Sequence, residues 1–148
     1  MASSERGAFL AKVPVLAALD VDLLAALAEA AEELDAPAGT WVFREGDEAD
    51  GLLVVRSGRL EVVAEGPPET VIRVLRRGDG LGELALLRGG PRSASARARR
   101  DSQLIRLSRD QFERLIAEAP GFALALTRSL GAQLAESRGP AAAAGTPR

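Results

Sequence analysis

The amino-acid sequence predicts an α+β fold, an antiparallel β-sandwich or roll with helical segments before and after it. Between residues 40 and 107 the apolar residues fall in short runs of strand length, some alternating with polar residues. Gly- and Pro-containing turns separate these runs, and no amphipathic stretch long enough for a crossover helix joins the first four. On either side the period lengthens to three or four, through Leu23, Leu24, Leu27 and Ala31 and through Phe122, Leu126, Leu130 and Leu134.

The composition narrows the chemistry. A chain of 148 residues, 47% of them hydrophobic, suits one globular domain. Only 3% are aromatic, so the core has to be built mainly from Leu, Val and Ala. There is no Cys and no His, which excludes disulfides, thiol nucleophiles, Ser-His-Asp arrangements and the usual zinc ligand sets. A net charge of −2 argues neither for nucleic acid nor for an acidic membrane surface as partner. No apolar run approaches the roughly 18 residues of a transmembrane segment, and the first residues lack the pattern of a signal peptide. A cytoplasmic protein is the expectation.

In chain order, residues 1–8 are small and polar and read as loose, and Phe9 to Val15 reads as a helical turn interrupted by Pro14. Together residues 1–15 form an N-terminal segment. Asp20 is placed to cap a helix running to about Glu33. From Leu34 the period changes, with a turn at Asp35 to Gly39 and a strand at Thr40 to Phe43. The run Glu45 to Gly51 is a second turn, Leu52 to Arg56 an apolar strand, and Ser57-Gly58 a tight hairpin signal leading into Arg59 to Ala64. Gly66 to Glu69 is a loop, followed by a strand at Thr70 to Leu75 that ends at Arg77 to Gly80. Ser93 to Ala98 alternates strictly, with Ala94, Ala96 and Ala98 on one face, and Ser102 to Leu107 is the last strand. Ser108 and Gln111 have the spacing of a capping box at the head of a helix carrying Phe112, Leu115 and Ile116. Pro120 breaks it, and the Phe122-to-Leu134 stripe marks a second helix. From Gly139 the composition is that of a linker, so residues 139–148 are set apart as a flexible tail.

The most specific stretch is Leu81-Gly82-Glu83-Leu84-Ala85-Leu86-Leu87-Arg88-Gly89-Gly90-Pro91-Arg92-Ser93-Ala94-Ser95. Its chemistry suits one phosphate. The N–H groups that open a helical turn lack intrahelical partners, and the local dipole favours an anion there. Gly82 allows close approach to the backbone, Arg92 offers a planar fork to two oxygens, and the Glu83 carboxylate accepts from a hydroxyl. Gly82 or Glu83 in isolation would read as a turn and a solvated acid.

This ordered string resembles the phosphate-binding cassette of the cyclic-nucleotide-binding domain family, which reads Phe-Gly-Glu-Leu-Ala-Leu, a short turn, then Pro-Arg-Ala-Ala-Thr or Arg-Ser-Ala. The strand–turn pattern of Phe43, Gly46-Asp47, Leu52 to Val55 and Ser57-Gly58 is similar too, so the resemblance covers roughly Leu16 to Leu134. It implies an antiparallel, jelly-roll-like β-roll of about eight strands, with an N-terminal helical segment and two C-terminal helices, and a domain at 16–138. It also implies roles within the ligand set Leu81, Gly82, Glu83, Leu84, Ala85, Arg92, Ser93 and Ala94. The N–H groups at Glu83 to Ala85 would take the exocyclic phosphate oxygens, Arg92 the phosphate charge, and Glu83 the ribose 2′-hydroxyl. Leu81 stands where the family has Phe and would line the ribose and base with less area. Ser93 follows the arginine, where the family has Ala in many cAMP sites, Thr in many cGMP sites and Ser in the bacterial catabolite activator. The sequence leans to cAMP ahead of cGMP.

The expected function is a regulatory sensor with no catalytic residues, no metal and no cofactor beyond cAMP or cGMP as ligand. It would act on an attached or partner effector, with a homodimer through the C-terminal helix as a further expectation. One alternative is a vestigial member kept as a protein-interaction module, against which Gly82, Glu83 and Arg92 stand intact. Another is the N-terminal regulatory domain of a patatin-like esterase, by analogy of domain order. A transcription regulator of the catabolite-activator type would need a helix-turn-helix after the long helix, where this chain has its Ala/Pro/Gly tail. The cluster Arg97, Arg99 and Arg100 adjoins Asp101 without interleaved aromatics and reads as a solvated strand face rather than a nucleic-acid site.

Overall fold

In a computed structural model of the chain, residues 2–128 and 130–131 are described. The chain opens with α1 (Ser3–Leu10) and α2 (Val21–Ala30) and continues through β1 (Glu32–Ala36), β2 (Trp41–Phe43), β3 (Gly51–Ser57), β4 (Leu60–Ala64), β5 (Thr70–Leu75) and β6 (Gly80–Leu81). Then come α3 (Glu83–Arg88), β7 (Ser95–Ala98), β8 (Ser102–Ser108), α4 (Arg109–Glu118) and a helical stretch at 120–128, here α5. The strands form two four-stranded antiparallel sheets, in the orders β1-β8-β3-β6 and β2-β7-β4-β5, facing each other as a β-roll.

Two apolar clusters hold these layers. Inside the roll, Ala36, Val55, Leu60, Val62, Leu75, Ala98 and Leu104 pack between the sheets. Outside the first sheet, Leu52, Val54, Ile105 and Leu107 pack against Phe9, Leu10, Leu16, Leu27, Phe112 and Phe122 from the helices. β3 reads as a continuous apolar run because both its faces are covered. The rings of Phe112 and Phe122 meet edge to face with centroids 5.7 Å apart, which ties α5 to α4. The predicted Ser108 capping box is present, with the Gln111 N–H donating to Ser108 Oγ at 3.2 Å and the Ser108 N–H to Gln111 Oε1 at 2.7 Å.

Four local expectations are corrected. Residues 1–8 are not loose: Ser3–Leu10 is helical, because Phe9 and Leu10 bury against the core and Arg6 donates to Ala28 O at 2.6 Å and to Glu33 at 2.7 Å. The α2 helix stops at Ala30 instead of reaching Glu33, since Glu32–Ala36 pairs along β8 with Leu34 opposite Leu104. Long-range pairing outweighs the helix propensity of Ala-Glu-Glu. Ser57-Gly58 is not a hairpin but a corner, because β3 and β4 lie in different sheets. At Gly58 the backbone has φ +92°, and a Cβ would lie 2.6 Å from Asp101 O. Ser102 Oγ accepts from the Arg59 N–H at 3.0 Å across that corner. Ser93 and Ala94 precede the ladder rather than belonging to it, since β7 begins at Ser95. Leu134 and the 139–148 tail lie outside the described residues.

Candidate functional site

Gly82 ends β6 and heads α3, a six-residue helix from Glu83 to Arg88. Its φ of 104° with ψ of 0° is a conformation that L side chains rarely adopt. The first intrahelical bond is Leu86 N–H to Gly82 O at 3.2 Å, so the N–H groups of Glu83 to Ala85 precede it and form the positive end of the turn. A Cβ on Gly82 would run into Arg92 Nη1 and lie 3.2 Å from Gly51 O. The absence of a side chain therefore lets the Arg92 guanidinium come up against the head of the helix.

Arg92 is only 4% exposed, although it is a charged residue in a connection between elements. Its backbone is tied on both sides, N–H to Asp47 O at 2.7 Å and O from Gly46 N–H at 2.9 Å. The guanidinium lies 4.1 Å from the centroid of the Phe43 ring. Nη2 donates to Gly51 O at 3.0 Å and stands 3.6 Å from Asp50 Oδ1. Nε and Nη1 are buried without a hydrogen-bond partner. Burial pulls its pKa below the ordinary arginine value, and Asp50, Asp47 and Glu83 push in the other direction. The group remains a cation with fixed orientation and unused donors, which is what an anion requires.

These donors border a cleft of about 140 Å³. Seven of the eight residues singled out in the sequence line it: Leu81, Gly82, Glu83, Ala85, Arg92, Ser93 and Ala94. The eighth, Leu84, is the second residue of α3. Glu83 is 6% exposed at the start of the helix. Three further lining residues were not anticipated: Phe43 from β2, Val62 from β4 and Arg73 from β5. No sequence signal brought these three strands to one mouth.

A family model described as the cyclic nucleotide-binding domain matches residues 33–119, which contain every lining residue. The chain belongs to this family. The relatives of this cyclic nucleotide-binding domain include kinase regulatory subunits and NTE family proteins. The chain is 41% identical over 109 residues to a cAMP-dependent protein kinase regulatory subunit of Emericella nidulans, covering 74% of this chain and 26% of the relative. It is 36% identical over 139 residues to an uncharacterized NTE family protein of Mycobacterium tuberculosis, covering 94% and 23%. Among solved structures, the regulatory domain of Toxoplasma gondii PKA, crystallised with cAMP, superposes with a TM-score of 0.70 at 32% identity, covering 75% of this chain and 43% of that one. The chain spans about a quarter of the length of these two relatives.

No helix among the described residues is long and apolar enough to cross a membrane, and the described residues hold no group of three or more metal-ligating side chains.

Proposed function

We propose that this cyclic nucleotide-binding domain is a sensor whose cleft takes a cyclic nucleotide phosphate-first and passes the event to an attached or partner effector. The observation that carries this reading is Arg92, 4% exposed, with Nε and Nη1 unpartnered beside the glycine-headed turn of α3. A buried cation with idle donors is costly to keep unless an anion arrives to use them. In this reading the N–H groups of Glu83 to Ala85 take the exocyclic phosphate oxygens, Arg92 balances the charge, Glu83 accepts from the ribose 2′-hydroxyl, and Leu81 and Ala94 face the sugar and base. Ser93 and the regulatory-subunit relative named for cAMP support the order cAMP before cGMP. The cleft offers no nucleophile–base pair to hydrolyse such a ligand, which supports a domain that binds and does not catalyse.

The route to the effector is a population shift. Ala85 and Leu86 of α3 pack in the same cluster as Phe112, Leu115, Phe122 and Leu126 of the C-terminal helices. A phosphate that orders α3 therefore bears on how α4 and α5 seat, by as much as its affinity differs between the two seatings. A dimer through α5 would be a second consequence of the same helix. Residues 16–138 would be the working unit, in the cytoplasm.

Isothermal titration with cAMP and with cGMP tests this, with Arg92→Ala beside the natural sequence. Saturable binding weakened by about 2–4 kcal/mol in the variant is expected, the scale of removing one member of a buried charged contact. A flat trace for both nucleotides from folded protein would leave an interaction module that has lost its ligand.

The effector has a specific candidate. Likeness to the NTE family protein extends over 94% of the chain, beyond the 33–119 match. This favours a regulatory domain placed before a patatin-like esterase. Esterase activity of the longer protein that rises or falls with added cyclic nucleotide would support it, and activity indifferent to nucleotide would not.

A further inference from the structure

A guanidinium as buried as that of Arg92 has to be aimed by its surroundings. Asp50 is a loose partner for it: Oδ1 stands 3.6 Å from Arg92 Nη2, while Oδ2 accepts from Arg106 Nη1 at 2.8 Å. A carboxylate held closer would also take up the donors that an anionic ligand needs. Phe43 meets the requirement in another way. Arg92 Cζ lies over its ring, 4.1 Å from the centroid. The face of an aromatic ring attracts a cation while leaving its edge N–H groups to other acceptors. Arg92 Nε and Nη1 are accordingly still without a hydrogen-bond partner.

Strict alternation along β2 would not put this ring in the cleft. Trp41 pairs with Arg97 of β7, so Phe43 should meet Ser95, on the same face as Trp41. It meets Ala96 instead, because β2 carries one residue more than β7 over this stretch. Trp41 keeps to the outer face, with the guanidiniums of Arg44 and Arg97 at 4.3 and 4.8 Å from its ring centroid. Val42 packs into the cluster between the sheets, and Phe43 lines the cleft. Two consecutive side chains thus face inward, and the bulge is what turns Phe43 toward Arg92. The ring also closes a way out. Phe43 and Arg92 line a second hollow of about 350 Å³, whose other walls include Asp47, Glu48 and Asp50. Without the ring, the guanidinium is open to turn toward those carboxylates and spend its donors on them. We propose that Phe43 is the positioning residue of this site: its ring, turned inward by the bulge in β2, holds Arg92 aimed into the cleft and so sets the affinity for a cyclic phosphate. The proposal rests on the reading of the cleft as a cyclic-nucleotide site.

Titration with cAMP and with cGMP tests this on Phe43→Leu and on protein carrying phenylalanine with one, two or three ring fluorines at position 43. Fluorine draws charge from the ring face and changes its size little, so a purely structural role for Phe43 predicts a flat series. The dissociation constant should instead rise stepwise with fluorine. In Phe43→Leu it should rise roughly five- to thirtyfold, the reach of a desolvated cation–π contact. Both nucleotides should lose alike, because they share the phosphate that Arg92 would meet. Binding by the natural sequence with a flat fluorine series would overturn the role of Phe43 and leave the site reading intact. A loss confined to one nucleotide would do the same, since it marks a contact with the base. No binding of either nucleotide by the natural sequence would overturn both. Should Phe43→Leu fail to fold by circular dichroism, the fluorine series decides alone.

Discussion

Replacing Gly82 by Ala probes the contact on which the cleft depends. The substitution does two separable things. It forces a side chain into φ 104°, ψ 0°, and it places a methyl against Arg92 Nη1 with Gly51 O only 3.2 Å away. A non-glycine residue held in such a backbone conformation costs about 1–3 kcal/mol. The methyl also drives the guanidinium off the Phe43 ring and loosens its bond to Gly51 O, worth about 0.5–2 and 1.5–3 kcal/mol respectively when buried. A total near 3 kcal/mol follows if the arginine gives way only in part. For a domain of this size that is a fall in Tm of roughly 10 °C. Calorimetry on Gly82→Ala, Arg92→Ala and the double variant separates the two effects, with Gly90→Ala as control, since a Cβ at Gly90 meets nothing within 4 Å. In the Arg92→Ala background, Gly82→Ala should cost only its backbone share, about 1–3 kcal/mol. Equal losses in both backgrounds would refute the close approach of Arg92 to the helix head. An unchanged Tm in both would refute the backbone argument as well.

Glu65 offers a test by pH. Its carboxyl is held at about 2, first by the hydrogen bonds from Arg44, then by that from the Ser95 hydroxyl, against the opposing effect of burial. A depressed carboxyl contributes stability that is present above the unfolded value near 4.5 and lost as pH falls through about 2. Melting temperature followed from pH 5 to 2 should therefore fall less steeply in Glu65→Gln than in the natural sequence; parallel curves would show that the Arg44 pair is not maintained in solution. On the C-terminal side, Leu126 is 3% exposed and Leu130 packs partly against the same cluster. The double change to Ala should alter nucleotide affinity or the sedimentation mass of folded protein, and no change in either would take that helix out of the signal path.

The Arg92 end of the cleft was legible in the sequence because its parts are contiguous. Gly82, Glu83 and Arg92 belong to one strand–helix–turn unit, and local chemistry dictates local geometry: glycine for the positive φ, helix formers for a short turn, Gly-Gly-Pro to reverse the chain. What surrounds them was legible in proportion to its dependence on local patterning. β3, β4 and β5 follow from short apolar runs bounded by turn residues, and the Ser108 box follows from spacing. By contrast, β1 is strand only because β8 pairs with it, and α1 is helix only because Phe9, Leu10 and Arg6 find partners far along the chain. The Ser57-Gly58 corner looks like a hairpin from within and becomes a change of sheet only when Ser102 arrives to hold it.

The opposite side of the cleft belongs to this second class. Phe43, Val62 and Arg73 come from β2, β4 and β5, separated along the chain by about as many residues as the whole 81–95 stretch. They meet because the second sheet orders its strands β2-β7-β4-β5, so that β7 and β4 stand between Phe43 on β2 and Arg73 on β5. The contacts at the Arg92 end are bound together by backbone geometry: altering Gly82 disturbs Arg92, and altering Arg92 removes the donor to Gly51 O. Arg73 has no share in those contacts. It sits on an outer strand whose neighbours in sequence, Val71 and Ile72, are 46% and 52% exposed, where substitution is tolerated. The architecture therefore separates the Arg92 side of the cleft, whose contacts are coupled through the backbone, from the β5 side, where a substitution leaves those contacts in place.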